Sequence, residues 1–120
     1  GIDAAQAGNR VYEIGKAVEK VARKGGYRII RNLGGHGVGR SIHESPSVPN
    51  WADRKANQVL REGLVITIEP FLNLGRGRIV KDRDGWTLRT PDRSVSAQYE
   101  HTVIVMGNEP ILATKVEGSH

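Results

Sequence analysis

One helical period near the start of the chain, followed by segments of strand-like character, constrains the fold more than any other feature. In "RVYEIGKAVEKVARK" apolar residues recur at helical spacing and charged residues occupy the opposite face. This pattern predicts one amphipathic helix over residues 10–24, with Asn9 as its N-cap and Gly25-Gly26 at its end. Because such a helix must bury its apolar face, we expect it to pack against a sheet.

Short strand-like segments make up most of the remaining chain. A buried strand is predicted over Leu64–Glu69, where Pro70 ends it, and "KDRDGWTLRT" predicts a hairpin that turns at Asp84-Gly85. "YRIIR", "SAQYEHTVIVM" and "PILA" predict further strands. Residues 45–56 contain two prolines and scattered polar groups, so they predict a loop. We therefore expect an α+β fold with an antiparallel or mixed sheet.

The length and composition fit one soluble domain. With 120 residues, the chain has room for a single domain over residues 1–120. It has no cysteine, which excludes disulfides and thiolate metal sites. No apolar stretch approaches the roughly 20 residues of a membrane span and the start shows no signal peptide, so we expect a cytoplasmic protein without a membrane contact. The last three residues, 118–120, resemble a cloning remnant.

The chain is basic, with a formal net charge of +5. Aromatic residues make up only 5% of it, too few for a surface that stacks nucleic-acid bases. Two interpretations of the charge remain open. One is an ordinary solvated basic surface, and the other is a contact with a polyanion such as the ribosome.

Three residues are candidates for chemistry because of where they stand. Glu69 ends a continuous apolar strand, Glu100 interrupts another β-rich segment, and His36 lies among glycines. A buried carboxylate is costly unless it is paired, and a divalent cation would compensate two of them. An imidazole with carboxylates suits Zn, Mn, Fe(II) or Co. The alternative is that each glutamate forms an ordinary ion pair with lysine or arginine.

The glycines and a second histidine fit the same hypothesis. Gly35, Gly37 and Gly39 would let the backbone approach a metal and a substrate where a Cβ would clash. His43, farther along, would hydrogen-bond a substrate rather than bind metal. Its alternative is a surface or capping histidine.

Four segments together resemble a known family. "YEIGKAVEKVARKGGY", "GGHGVGRSIHESPSVPNW", "GLVITIEPFLNLG" and "KDRDGWTLRTPDRSVSAQYEHTVIV" are similar, in order and spacing, to the C-terminal half of type I methionine aminopeptidases. The resemblance covers nearly all of residues 9–113. It implies half of a pita-bread fold, in which two pseudo-symmetric α+β halves enclose a dinuclear metal site. One or two helices would cover a curved sheet.

The resemblance also implies roles for individual residues. His36 and Glu69 look like ligands of one metal, and Glu100 looks like the carboxylate that bridges both metals. Glu69 further resembles the residue that takes the proton from metal-bound water. His43 resembles the histidine that contacts the scissile amide of the substrate.

Other residues look like supports of this site. Trp86 and Ile42 resemble walls of the pocket for the methionine side chain, although the family often has an aromatic residue where Ile42 stands. Thr67 and Gln98 resemble residues that orient the metal ligands. The implied cofactors are two divalent ions per complete site (Co, Mn, Fe, Zn or Ni). The implied reaction is hydrolytic removal of an N-terminal methionine from peptides.

Half of the family's site has no counterpart in this sequence. Two aspartate ligands belong to the other half of the family chain, and Asp3 is the only acid here before the helix. Three interpretations follow. The chain works with a complementing N-terminal half, or it forms a homodimer, or it is a non-catalytic binding module that docks the ribosome or RNA. Under the first two, the isolated chain is weakly active or inactive.

Overall fold

The computed structural model describes residues 1–75, 80–85 and 87–116. In these ranges the chain forms one α-helix, α1 (Val11–Lys24), after a short 3-10 turn at Ile2–Ala4. Ten short strands follow the helix. They are β1 (Arg28–Ile29), β2 (Gly34–Gly37), β3 (Glu44–Pro49), β4 (Val65–Ile68), β5 (Phe71–Asn73), β6 (Val80–Lys81), β7 (Leu88–Arg89), β8 (Ser96–Gln98), β9 (His101–Ile104) and β10 (Ile111–Leu112).

The strands form three sheets, and every pairing between named strands is antiparallel. The largest sheet has five strands in the order β10-β9-β4-β2-β3. A second sheet has the order β1-β5-β8, and β6 pairs with β7 in the hairpin that the sequence predicts, with Gly85 at a φ of 77° in its turn. The expected α+β class, with a helix followed by an antiparallel sheet, is confirmed.

The core lies between α1 and the five-stranded sheet. Val11 and Ile14 on the helix are fully buried, as are Ile66 on β4 and Val103 on β9. Each fully buried aliphatic side chain stabilises the fold by roughly 1.5–3 kcal/mol relative to exposure. The apolar face of the helix therefore forms one side of the core, and the five-stranded sheet forms the other.

The helix ends as predicted, but the predicted N-cap is wrong. Gly25 is the C-cap and Gly26 follows with a φ of 81°, the left-handed conformation that glycine adopts easily. Arg10, not Asn9, stands at the N-cap, and it makes no side-chain capping bond. The Asn9 side chain instead donates to Ala4 O at 3.0 Å. It connects the helix start to the preceding turn.

The predicted loop over residues 45–56 is wrong in its first part. Residues Glu44–Pro49 form β3, the outermost strand of the large sheet beside β2. Proline is tolerated at a sheet edge because the missing N–H need not serve a second neighbour. The glycine-rich segment before it also forms a strand, β2.

The segment "SAQYEHTVIVM" forms two strands rather than one. β8 pairs with β5 in the three-stranded sheet, whereas β9 pairs with β4 in the five-stranded sheet. Tyr99 and Glu100 lie in the break between them. The chain also changes sheets between β4 and β5, at Glu69 and Pro70.

Two further expectations fall outside the described residues, namely the pocket role of Trp86 and the nature of residues 118–120. Among the residues that are described, no helix is long and apolar enough to cross a lipid bilayer.

Candidate metal centre

Two sheet-to-sheet crossings place Glu69 and Glu100 side by side. The antiparallel register of β4 and β9 pairs Ile68 with His101. Glu69 follows Ile68 and Glu100 precedes His101, so both carboxylates leave the same end of this strand pair. Glu69 and Glu100 therefore lie next to each other, although they are far apart in the sequence.

His36 reaches this point from β2, the neighbour of β4 on its other side. Its Nε2 lies 3.8 Å from Glu69 Oε1. One ligand atom from each of His36, Glu69 and Glu100 lies within 4.8 Å of the others. The imidazole and the Glu69 carboxyl are half-buried, while Glu100 is exposed. The three predicted ligands thus form one cluster that is open on the Glu100 side.

The Glu69 carboxyl is strongly perturbed. Burial is the main cause, and the charge and hydrogen bond of Glu100 add to it, whereas His36 acts in the opposite direction. Together they raise the pKa of Glu69 from 4.5 to about 7. Two neighbouring carboxyl groups resist ionising together. Without a cation, Glu69 therefore holds its proton up to near neutral pH.

The His36 ring is fixed in the orientation that a metal ligand needs. Its Nδ1 lies 2.9 Å from Gly37 O, and because a carbonyl only accepts, Nδ1 carries the hydrogen. The lone pair is then on Nε2, the atom that faces Glu69. The His36 backbone N–H donates to Thr67 Oγ1 at 3.1 Å. A register shift between His36 and Gly37 bends the strand here, as bulges beside functional sites do.

Two glycines let the strands around His36 approach each other. A Cβ on Gly35 would lie 2.0 Å from Thr67 O, and one on Gly37 would lie 2.2 Å from Ser45 O. Real Cβ atoms are not found at such distances from backbone oxygens, so any side chain would force β2 away from its neighbours. These glycines serve the close approach of strands to the His36 backbone.

His43 lies against His36. The ring centroids are 4.2 Å apart and the planes are tilted by 48°. The turn between the two histidines is held by Glu44, whose Oε1 accepts from the Ser41 N–H at 2.9 Å. His43 therefore stands at the border of the metal cluster rather than inside it.

The remaining predicted residues lie at different distances from this cluster. Thr67 is buried and contacts the His36 backbone, as described. Gln98 is exposed at the end of β8, opposite Phe71 and two residues before Glu100. Ile42 is 74% exposed beside His43.

Two contacts of the site were not expected from the sequence. One is the Glu44 carboxylate in the histidine turn. The other is Asn50, whose side-chain amide donates to Glu69 O at 2.9 Å. Polar residues of these types are common in any loop, so the sequence does not distinguish these two from ordinary loop residues.

The donor set fits a divalent cation. One imidazole nitrogen with a free lone pair and two carboxylates form the nitrogen and oxygen environment that Zn, Mn, Fe(II) and Co accept. A positive ion would also compensate the two carboxylates, whose mutual repulsion contributes to the raised pKa of Glu69.

Comparison with known proteins gives the family. The family model described as "Metallopeptidase family M24" matches residues 1–106 of this chain. The chain belongs to metallopeptidase family M24. A family of metallopeptidases implies a divalent metal, and the cluster of His36, Glu69 and Glu100 is a possible ligand group for one.

Methionine aminopeptidases and a prolidase are among the proteins that this M24 chain resembles. Methionine aminopeptidase 2 from Bacillus subtilis (strain 168) is 44% identical over 117 residues, which cover 97% of this chain and 47% of that protein. The crystal structure of methionine aminopeptidase from Thermotoga maritima matches with a TM-score of 0.90 at 36% identity, covering 96% of this chain and 46% of that one. Prolidase from Pyrococcus furiosus matches with a TM-score of 0.68 at 28% identity, covering 96% and 28%.

The architecture is therefore half of a pita-bread fold, as the sequence resemblance implied. This M24 chain spans about half the length of the methionine aminopeptidases that it matches.

Proposed function

We propose that the chain contributes to metal-dependent removal of N-terminal methionine from peptides and nascent proteins in the cytoplasm. The observation that carries the proposal is the convergence of His36, Glu69 and Glu100 within 4.8 Å in a chain of metallopeptidase family M24. The names of the most similar relatives supply the substrate class.

His36, Glu69 and Glu100 are the residues that would hold the metal. When bound, divalent ions in such a site polarise a carbonyl and lower the pKa of bound water. The complete site takes two ions in this proposal, and Co, Mn, Fe, Zn and Ni are all compatible with the donors. Glu100, the most exposed of the three, would be a ligand of both ions.

The residues of this chain then have distinct tasks. Besides serving as a ligand, the Glu69 carboxylate would accept a proton during hydrolysis and release it afterwards. His43, packed against the His36 ring, would donate an N–H to the substrate carbonyl as negative charge develops on it. Ile42 and Trp86 would form part of the wall around the methionine side chain. Thr67 and Gln98 would keep the ligands oriented.

Completion of the site is part of the proposal. The M24 relatives are about twice as long, and the described part of this chain offers a cluster of three protein ligands. We propose that a complementing N-terminal half, or a second copy of the chain in a homodimer, supplies the remainder. Alone, the chain would bind metal loosely and cleave methionyl peptides slowly or not at all, because fewer carboxylates attract the ion.

A binding module is the second candidate function. A cleft of about 490 Å³ beside the end of α1 is lined by Arg23, Arg28 and Arg31, with Tyr27 at its edge. This surface favours a polyanion such as ribosomal RNA. Glu19 weakens it, since its carboxylate lies 3.7 Å from Arg23 and 3.8 Å from Arg31.

Metal titration of matched variants tests the two candidates. We expect Glu100→Ala to weaken Mn or Co binding by about 10-fold or more in calorimetry, while Glu109→Ala, an exposed acid far from the cluster, leaves it unchanged. A methionyl-peptide assay with and without a complementing half measures activity. Wild-type metal affinity in Glu100→Ala would reject the metal centre and favour the binding module.

A further inference from the structure

Asn50 is a fully buried amide at the centre of the strand ends that carry the metal cluster. It follows directly after β3 and none of its surface is exposed. Its Nδ2 donates to Glu69 O at 2.9 Å and, at 3.4 Å, to Leu33 O. Leu33 precedes β2, the strand of His36, and Glu69 follows β4. One side chain thus joins the ends of three strands.

The two accepting carbonyls are at positions where the sheet ladder has stopped. Each belongs to a residue just outside a strand, and there the Asn50 amide supplies a donor. The bond to Glu69 O acts on the residue whose carboxyl belongs to the cluster. The bond to Leu33 O acts three residues before His36. Asn50 is therefore placed to set the separation of the backbones that carry Glu69 and His36.

The helix keeps Asn50 in this place. Gly15 of α1 lies so close to the flanking segment that a Cβ there would stand 2.1 Å from Trp51 O and 2.6 Å from Pro49 O. On the other side, the Arg31 guanidinium lies 4.5 Å from the centroid of the Trp51 ring. The backbone on both sides of Asn50 is thus confined, which gives its amide a fixed direction.

We propose that Asn50 is a positioning residue of the metal centre, whose amide holds the Glu69 and His36 backbones at the spacing that joint ligation requires. The inference rests on the proposed function in one respect, namely that these two residues bind a common ion. The bonds to Glu69 O and Leu33 O are observed independently of that function.

Cobalt titration of three chains tests the proposal. Asn50→Asp keeps the shape but replaces the donating NH2 by an acceptor that repels both carbonyls. We expect Co affinity to fall about 10-fold and the visible absorption of the saturated complex to change in intensity, because altered ligand spacing changes the coordination. The control is Asn9→Ala, which removes a comparable amide-to-carbonyl bond far from the cluster. It should alter neither affinity nor spectrum.

A measurement on metal-free protein separates this proposal from the proposed function. We expect Asn50→Asp to shift the carbon-13 resonance of the Glu69 carboxyl and the His36 ring signals, and Asn9→Ala to leave them in place. Should Asn50→Asp fail to fold, Asn50→Ser carries the same measurements. A folded variant with wild-type signals at both ligands overturns the positioning role. If the signals shift but wild-type protein binds no cobalt, the proposed function fails while Asn50 still positions the two side chains.

Discussion

Glu69 ends an apolar strand and has a second carboxyl, that of Glu100, beside it. A structural ion pair with arginine or lysine would lower the pKa of such a group, but the pKa of Glu69 is raised to about 7. Among the causes of the shift, His36 acts to lower the pKa of Glu69, and it only partly offsets burial and Glu100. Perturbed carboxyl pairs of this kind are typical of functional sites.

The raised pKa makes the metal-free chain less stable at higher pH. Glu69 holds its proton more tightly in the folded state than its ordinary pKa of 4.5 would allow, so its contribution to stability is complete below about 4.5. The contribution is lost progressively as pH rises through about 7. Urea denaturation of chelator-treated protein should show a smaller advantage of the wild type over Glu69→Gln at pH 8 than at pH 5. An advantage that is constant with pH would contradict the raised pKa.

Thr67 offers a second test at the residue scale. Its buried hydroxyl accepts the His36 N–H, and Thr67→Val removes that acceptor with little change in shape. We expect the free energy of unfolding to fall by about 1–3 kcal/mol, because a buried donor loses its partner. Thr87→Val, at an exposed hairpin hydroxyl, should cost less in the same denaturation experiment.

Single residues differ in how far the sequence reveals them. Glu69 and Glu100 can be identified from the sequence because a charged residue inside an apolar segment interrupts the hydrophobic pattern. Asn50 is not visible, because an asparagine after a proline fits an ordinary loop. Its importance depends on which carbonyls come within reach, and only the folded backbone decides that.

Among the elements, the helix owes its position to one glycine. Gly15 is buried in the middle of α1, where alanine would normally favour the helix by about 1 kcal/mol. The missing Cβ allows the helix to contact the Pro49 and Trp51 backbone. Glycine lowers the helix propensity at this position, but it allows close packing against the segment that contains Asn50.

Gly15→Ala should therefore destabilise the protein despite its better helix propensity. Backbone oxygens cannot move aside as a flexible side chain can, so we expect a loss of roughly 1–3 kcal/mol. Gly107→Ala is the control, since nothing lies within 4 Å of its added Cβ. Thermal or urea unfolding of both variants measures the difference. Equal stability of Gly15→Ala and the wild type would show that the helix can shift at no cost.

Elements with their own local signal were predicted well, and those that depend on a partner were not. The helix period, the buried strand before Glu69 and the Asp84-Gly85 turn are local, and each is observed. β3 was missed because its prolines argue against a strand unless the strand lies at an edge. The break at Glu100 was missed because β8 and β9 belong to different sheets. A continuous β-rich segment does not reveal that its two parts pair with different strands.

At the scale of the molecule, apolar side chains remain on the surface. Leu74 is 62% exposed, Val95 is 72% exposed and Tyr99 is 60% exposed. Leu74 and Val95 are neighbours, since the Leu74 N–H donates to Val95 O at 3.2 Å. They lie on the side of the three-stranded sheet, close in sequence to β5 and β8. Exposed groups of this kind favour association with another surface.

We expect this chain to associate in solution, with itself or with a complementing half. Light scattering at micromolar concentration should give a mass above that of the 13.1 kDa monomer, and Leu74→Lys should lower it. The control, Val21→Lys, changes an apolar residue on the helix that is at least as exposed as Leu74, and it should leave the mass unchanged. A monomeric wild type that co-purifies with no other chain would contradict the expectation.

The two edge strands of the five-stranded sheet also affect how such molecules can associate. One border is β10, only two residues long, and the other is β3, where Pro46 and Pro49 lack an N–H. A neighbouring chain that tried to add a strand would find too few donors and acceptors in line. Continuous cross-β stacking through this sheet is therefore disfavoured. Copies that meet at these two edges would do so through side chains, and we expect such contacts to be reversible.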